Sequence, residues 1–538
     1  MFLADGRIEL GARPVPPPAS VLEVVMLGHC PGLARWDRIV TDKVLVDDIR
    51  ALGFDARLAR LERLLEQVDS PTLQAQGKAL LYGLPIPIHS FGQFQDLFPQ
   101  AFDAEVLWQG ALVGEVHRPG VLVGTKAWLP HAVQDFFEGA HSSSGDRLKL
   151  WLLLVEESED LIPGIEAFLP EEAPDLSDPE ELSPFAGALL ISSAGVIALP
   201  DLERLLVPSR LEDVPPLKVA HPLPVFLPLS AEGSEQVQAW PDRKLDAARL
   251  ADEAAVMAPG HVLSRIVRVL AKLRPDLQCL FALPFDAEAE GELPVPSRRY
   301  IEFLAEAAEV GSPRFSPALR HLQFIYPYLR GPGRPLGSPS GLVAGTQALV
   351  SQRLGPWHSI GKAGLPGQCL PWPPLSQITA TALRASPGIT VLLRRAQQTV
   401  VDDERLCVPC LPPVQLNELP PQSQVVEAWR SAEVMRFMGW LRRQLQALGE
   451  RLIFDVDVRS PRPAMAVRDF LGRLHAQGAL RGARPEDAFS VRQRAEGQGT
   501  LILEVEIAPT FPIDRLRITF LHDRNANRTS IGMEAANG

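Results

Sequence analysis

An α/β body joined to a C-terminal α+β domain is the fold class this sequence predicts. Strand-like apolar runs at 21–27, 148–155, 189–199 and 277–283 alternate with segments of helical period, the pattern of a sheet flanked by helices. At 538 residues and 46% hydrophobic, the chain can bury more than one core. Charge then divides it: residues 424–538 hold 17 Arg, no Lys and 14 Asp+Glu, a net +3 against −15 for the remainder.

The elements follow in order. Residues 1–20 are an arm in which Arg7, Ile8, Glu9 and Leu10 alternate and Pro14, Pro16, Pro17 and Pro18 stiffen what comes next. So isolated a strand cannot bury its apolar side locally, so it pairs with something distant or with another chain; a frayed terminus is the alternative. The first part of the body covers 21–160 and contains a helical insertion at 43–76. There Ile49, Leu58, Leu61, Leu64 and Leu65 recur at helical spacing, broken by Gly53. Helices near 91–98 and 130–137 precede the strand at 148–155. An acidic, Pro-rich loop or insertion occupies 161–188.

The second part of the body, 189–420, adds helices at 247–256, 262–273 and 298–307 and the strand at 277–283. The C-terminal domain, 421–522, opens on a long helix whose stripe is Val425, Trp429, Ala432, Met435, Met438, Leu441, Leu445 and Leu448; Arg436, Arg442 and Arg443 lie off it. Alternation of Leu452, Phe454, Val456 and Val458 predicts a strand. A helix at 464–477 stops at Gly478, and strands follow at 500–507 and 515–521. Residues 523–538 read as a flexible tail.

Several functions are disfavoured. No apolar run approaches the roughly 18 residues of a membrane span. The start, Met1-Phe2-Leu3-Ala4-Asp5-Gly6, lacks a basic region and apolar core, so cytoplasmic synthesis is expected, with release by another route such as lysis. A net charge of −12 argues against generic nucleic-acid binding. Phosphate-loop, dinucleotide, zinc-protease and serine-elbow motifs are missing, and no cofactor or catalytic residue is expected. Cys407 and Cys410 have the spacing of a redox pair or half a zinc site, and a thiol or metal enzyme is the rival reading. With no second such pair, they and Cys30, Cys279 and Cys369 read as reduced thiols. His29, His89 and His131 read as structural. Phe324, Tyr326 and Tyr328 read as aromatic packing at a strand end, and the prolines of loop 331–341 remove the donors a phosphate cradle needs.

The order of motifs carries a resemblance. Phe324-Ile325-Tyr326-Pro327-Tyr328-Leu329, then Pro339-Ser340-Gly341-Leu342-Val343-Ala344-Gly345, then Gly355-Pro356-Trp357-His358-Ser359-Ile360-Gly361-Lys362-Ala363-Gly364 resembles the contractile tail sheath family. Phe470-Leu471-x-Arg473-Leu474-x-x-Gln477-Gly478-Ala479-Leu480 and Leu503-Glu504-Val505-x-Ile507-Ala508-Pro509 are similar to its C-terminal signature. Similarity runs from about residue 20 to about 522. The departures are Arg7 to Leu10 as a loose stand-in for the family's Pro-Gly-Val-Tyr opening, the 43–76 insertion, and Phe454-Asp455-Val456-Asp457 in place of a Phe-Glu-Pro-Asn turn.

The resemblance implies a structural subunit, not an enzyme, that polymerises helically around an inner tube and contracts. Its partners would be further copies of itself, the tube protein, baseplate and cap proteins and sheath paralogues, in a virion tail or a released phage-tail-like particle. Strand arms linking subunits would be Arg7, Ile8, Glu9 and Leu10 at one end and Leu516, Arg517, Ile518, Thr519 and Phe520 at the other. Arg442, Arg443, Arg468 and Arg473 are the candidates for meeting an acidic tube; a solvated helix face is the alternative. A non-polymerising baseplate or cap paralogue is the alternative function.

Overall fold

The computed structural model describes residues 22–207, 258–408 and 430–536, apart from short internal stretches, among them 103–110, 119–126, 141–147, 287–293, 454–459, 511–514 and 524–527. The N-terminal arm, the helix expected at 247–256, Cys410 and the first turn of the C-terminal stripe lie outside the described residues. The chain divides into two compact units, a body of 22–351 and 358–440 and a second unit that includes 441–538.

The body begins with β1 (Glu23–Gly28) and four helices, α1 (Trp36–Thr41), α2 (Lys43–Arg50), α3 (Asp55–Leu64) and α4 (Pro71–Leu81). Asp42 caps α2 and Ser70 caps α4, where Pro71 takes the first turn that needs no donor. Then come β2 (Pro85–Ile88), α5 (Phe91–Leu97), the hairpin β3 (Ala111–Val113) and β4 (Val116–Arg118), α6 (Leu129–Gly139) and β5 (Leu150–Leu154). Ser90 caps α5 at the amide of Gln93, whose side chain accepts from His89 N–H at 2.8 Å. Next are α7 (Leu161–Glu166), α8 (Pro184–Leu189), β6 (Ala194–Ala198) and α9 (Pro200–Leu205). The segment expected as a loop at 161–188 therefore contains two short helices. Its Ile165, Phe168, Leu169 and Phe185 are buried in the main core, which ties it down despite its acidic surface.

After α10 (Pro259–Leu273) follow β7 (Gln278–Ala282), the short pair β8 (Phe285–Asp286) and β9 (Val295–Pro296), and α11 (Arg298–Ala308). The aromatic segment splits into β10 (Leu322–Tyr326) and β11 (Tyr328–Gly331), ahead of β12 (Arg334–Gly337) and α12 (Ser340–Arg353). The body closes with β13 (Leu370–Trp372), α13 (Gln377–Ala385), β14 (Thr390–Arg395), β15 (Gln398–Val401) and the first half of α14 (Ala432–Ile453).

Eight of these strands form one sheet in the order β15-β14-β10-β7-β6-β1-β5-β2. All neighbours are parallel except the two edge strands, β2 on β5 and β15 on β14. Helices cover both faces, so the strands are apolar without alternation; Leu150–Leu154 is buried at every position.

The Pro-Ser-Gly-x-Val-Ala-Gly motif has a packing cause. A Cβ on Gly341 would sit 2.3 Å from the Ala132 carbonyl oxygen, one on Gly345 2.1 Å from that of Phe136, and one on Gly139 2.6 Å from that of Leu342. Glycines four apart on α12 thus let its backbone lie directly on α6.

The second unit contains the end of α14, then α15 (Arg462–Ala476), α16 (Pro485–Ala488) and an antiparallel sheet of β16 (Phe489–Glu496), β17 (Thr500–Ile507), β18 (Arg515–Asp523) and β19 (Arg528–Ala536), in that order. Two expectations meet the structure here, the first only at Leu452, since Phe454, Val456 and Val458 lie outside the described residues. Leu452 belongs to α14, because the stripe through Leu441, Leu445 and Leu448 continues four residues on, and not to a strand. Residues 523–538 are not a loose tail, since β19 pairs along all of β18, with Ile531 opposite Phe520 and Met533 opposite Ile518.

Candidate assembly surface

In open parallel sheets ligands settle beyond the carboxyl ends of the strands, where the strand order reverses. Here that point lies at β1, with β5 on one side and β6 on the other. The chain's own carboxylate fills it. Asp201, in the first turn of α9, accepts from the amides of His29 (2.8 Å), Trp128 (2.8 Å) and Leu129 (3.0 Å) and from Arg204 Nε (3.0 Å). It occupies the anion position at the start of α6 and joins β1, α6 and α9. His29 takes Arg204 at its Nδ1 (3.2 Å), and burial holds its pKa below the usual value. Beside it, Glu203 accepts from Ala282 N–H (2.9 Å) and the Ser340 hydroxyl (2.6 Å), and burial pushes its carboxyl up to about 7. These contacts join α9, β7 and the start of α12.

A second buried network fixes the first half of α14 to the body. Arg436 donates to both oxygens of Glu404, at 2.9 and 3.2 Å, and to His358 O at 2.7 Å. Glu404 also accepts from Gln347 (2.9 Å), the Ser359 hydroxyl (2.9 Å) and Ile360 N–H (2.6 Å). Burial raises the Glu404 pKa, but the charge and hydrogen bonds of Arg436 outweigh it and the net direction is down. The His358-Ser359-Ile360 part of the third motif is thereby explained as a cradle for this ion pair. Sequence reading placed Arg436 outside the stripe; its burial depends on Glu404, 32 positions upstream, which no local pattern signals.

The described residues expected to link subunits or meet a tube lie in the second unit. One face of β17 carries the buried Leu501, Leu503, Val505 and Ile507. The other carries cross-strand ion pairs, Arg494–Glu504 at 3.3 Å and Arg517–Glu506 at 3.0 Å. Helix α15, with Val467, Leu471 and Leu474 buried, packs against the neighbouring strand β16. The expected C-terminal arm residues, Leu516, Arg517, Ile518, Thr519 and Phe520, lie in β18, hydrogen-bonded on one side to β17 and on the other to β19. They form an interior strand, since both of its edges are used within the chain. The outer edges of this sheet belong to β16 and β19, and such edges are templates for a further strand. The missed signal is the alternation of Ile531 and Met533 after Asn525, Ala526 and Asn527, whose two asparagines favour a turn. The other expected arm, Arg7 to Leu10, lies outside the described residues.

Of the four expected tube-facing residues, Arg442 and Arg443 are half-buried on α14, and Arg473 is exposed on α15. Arg468 donates to Val491 O at 3.0 Å, which ties α15 to β16. Cys407 is buried with its Sγ near Leu304 O, and burial raises its thiol pKa, the reverse of an activated cysteine. Among the described residues no group of His, Cys, Asp and Glu is arranged to hold a metal ion, and no helix is long and apolar enough to cross a membrane.

No family model matches the sequence, and no curated protein matches it. Solved structures do. The contracted sheath complex of the PVC extracellular contractile injection system is 15% identical over 80% of this chain and 84% of its own, with a TM-score of 0.42. The chain resembles contractile tail sheath proteins. The contracted helical sheath of the anti-feeding prophage is 14% identical over 95% of this chain and 97% of its own, TM-score 0.45. Its six-fold symmetrised baseplate structure gives 15%, 96% and 97%, TM-score 0.47. The likeness is distant, and no residue's role is drawn from it.

Proposed function

We propose that this chain is a structural subunit of a contractile tail sheath, polymerising helically around an inner tube and contracting without nucleotide. The observation that carries the reading is a sheet of four strands with outer edges at β16 and β19, and it is joined by the sequence expectation of a lone strand at Arg7 to Leu10 with no neighbour in sequence. One segment can be given and an edge can receive it. Strand addition suits a moving lattice, because main-chain hydrogen bonds survive rigid-body rotation when the connecting arm bends. A given strand and a receiving edge on different surfaces make a heterologous contact, which propagates as a helix when it does not close into a ring. The ordered motifs support the same family, and the motifs at 339–345 and 355–364 coincide with the α6–α12 glycine contact and the Arg436 cradle.

On this reading the receiving edge is β19 or β16, and the giving strand is Arg7 to Leu10. Arg442, Arg443, Arg468 and Arg473 are proposed to meet an acidic tube; Arg468 already donates to the Val491 carbonyl. The arm at 1–20 and the division of the body at 161–188 are carried forward as part of the proposal; the tail at 523–538 is not, since β19 pairs with β18.

Negative-stain electron microscopy of the purified chain, alone and with its tube and baseplate partners, tests the reading. Hollow striated cylinders are expected, and they should be lost on deletion of residues 1–13. Monomers under both conditions would move the assignment to a baseplate or cap paralogue, and cylinders that grow without residues 1–13 would remove the arm.

A further inference from the structure

A groove in the body, distant in sequence from the strand arms, has the make-up of a peptide site. It encloses about 320 Å³ between β11, β13, the start of α13 and β14. Trp372, Pro371, Pro374 and Leu375 give it an apolar floor, and its lining includes Arg330, Arg394 and Arg395 but no carboxylate. Arg330 is only 8% exposed and lies over the Trp372 ring, 5.5 Å from its centroid. Burial lowers its pKa to about 10, so it stays charged at neutral pH. Arg395 shares Asp402 Oδ1 at 2.6 Å, and Arg394 is exposed beside it on β14. Next to the groove, Ile378 on α13 is 84% exposed, the most exposed large apolar side chain among the described residues. A basic rim, an aromatic and proline floor and an adjoining bare isoleucine together ask for an acidic segment with some apolar character.

The body carries such a segment on its own surface. Between Pro170 and Pro179 run Glu171, Glu172, Asp175, Leu176 and Asp178; the four carboxylates are exposed, with Glu172 3.4 Å from Arg268, while Leu176 packs on the main core. The segment is pre-shaped. Pro170 O accepts from Arg265 Nε and Nη2 at 3.0 and 2.8 Å, and Asp175 accepts from Ser177 N–H at 3.0 Å. Less ordering is then lost when it docks.

We propose that the groove of β13, β14 and α13 receives the acidic segment 171–178 of a second copy of this chain. The proposal rests on the reading that copies of the chain associate. Groove and segment are different surfaces, so the contact is heterologous and extends from copy to copy.

The test uses the full chain. Self-association is followed by sedimentation velocity at low salt for wild type, Arg394→Glu, Glu171→Lys/Glu172→Lys, and the chain with all three changes. Each reversal alone should weaken association by about tenfold, and the combined variant should recover it, because opposite charges again face one another. Arg394→Lys should behave as wild type. In parallel, a labelled peptide spanning 169–182 is titrated onto the full chain, with saturable binding expected for wild type and loss for Arg394→Glu. Peptide bound equally by both chains, or no recovery in the combined variant, overturns the proposal. Cylinders that form unchanged with either reversal overturn it and leave the sheath reading standing. A wild-type chain that stays monomeric both alone and with its tube and baseplate partners overturns the proposal even if it binds the peptide, and moves the assignment to the non-polymerising paralogue.

Discussion

Gly345→Ala separates two physical effects that point in opposite directions. Alanine is the better helix former by about 1 kcal/mol, so propensity alone predicts that the substitution stabilises α12. The new Cβ would lie 2.1 Å from the Phe136 carbonyl oxygen and 2.9 and 3.0 Å from the carbonyl carbon and Cα of that residue. Ordinary contact begins near 3.4 Å, so α12 and α6 must part by roughly an ångström. Their backbones are held by Asp201 at one helix start and by Ser340 on Glu203 at the other. Overpacking of this kind costs about 1–3 kcal/mol, and adding a backbone oxygen as the obstacle places it at the upper end. A net loss of about 2 kcal/mol is expected, read as a lower guanidinium midpoint of the body transition. Gly472→Ala is the matched control, since its Cβ on α15 meets nothing within 4 Å and should stabilise by about 0.5–1 kcal/mol. A Gly345→Ala protein as stable as wild type would refute the close-contact account of the motif.

Other predictions follow from the buried charges. Burial raises Glu203 from 4.5 to about 7, so the folded state binds its proton more tightly than the unfolded chain. Its favourable contribution is present below about 4.5 and is lost as pH rises to about 7, a change of about 3 kcal/mol that Glu203→Gln should abolish; unfolding at pH 5 and pH 8 measures it, and equal slopes in both proteins would count against it. Arg436→Met leaves Glu404 buried without its cation and should cost about 3–5 kcal/mol in body stability, with much of the loss recovered in Arg436→Met/Glu404→Gln. If the double variant is no more stable than the single one, the loss lies in packing and not in the stranded charge. Arg442→Glu/Arg443→Glu should abolish the salt dependence of sheath docking on the tube, and a pull-down at two ionic strengths that finds no difference from wild type would remove these residues from the interface.

What the sequence makes legible here depends on how local the cause is. The strands of the body are readable because each is buried on both faces and so is written as an unbroken apolar run, as in Leu150–Leu154. The close glycines of α12 are readable as a motif, though their reason, the carbonyls of Ala132 and Phe136 some two hundred positions earlier, is not. That Arg436, off the apolar stripe, and Asp201, after a strand end, are buried is not legible, because burial of a charge is decided by partners that only the fold brings near. The same non-locality governs the C-terminal strands. Alternation told that 515–521 is a strand but not what it pairs with, and the answer changes its role. A strand flanked by β17 and β19 has spent its backbone donors and acceptors within the chain. At the switch point of the large sheet the chain likewise meets its own hydrogen-bonding needs, through Asp201. The outer edges of β16 and β19 are different in kind: a row of backbone groups there is satisfied by water in one copy and can be satisfied by a strand in an assembly. A strand exchange of this sort gains main-chain hydrogen bonds without requiring any particular side chain. That is why the arm of Arg7 to Leu10 can serve the proposed function while departing from the family's usual opening residues.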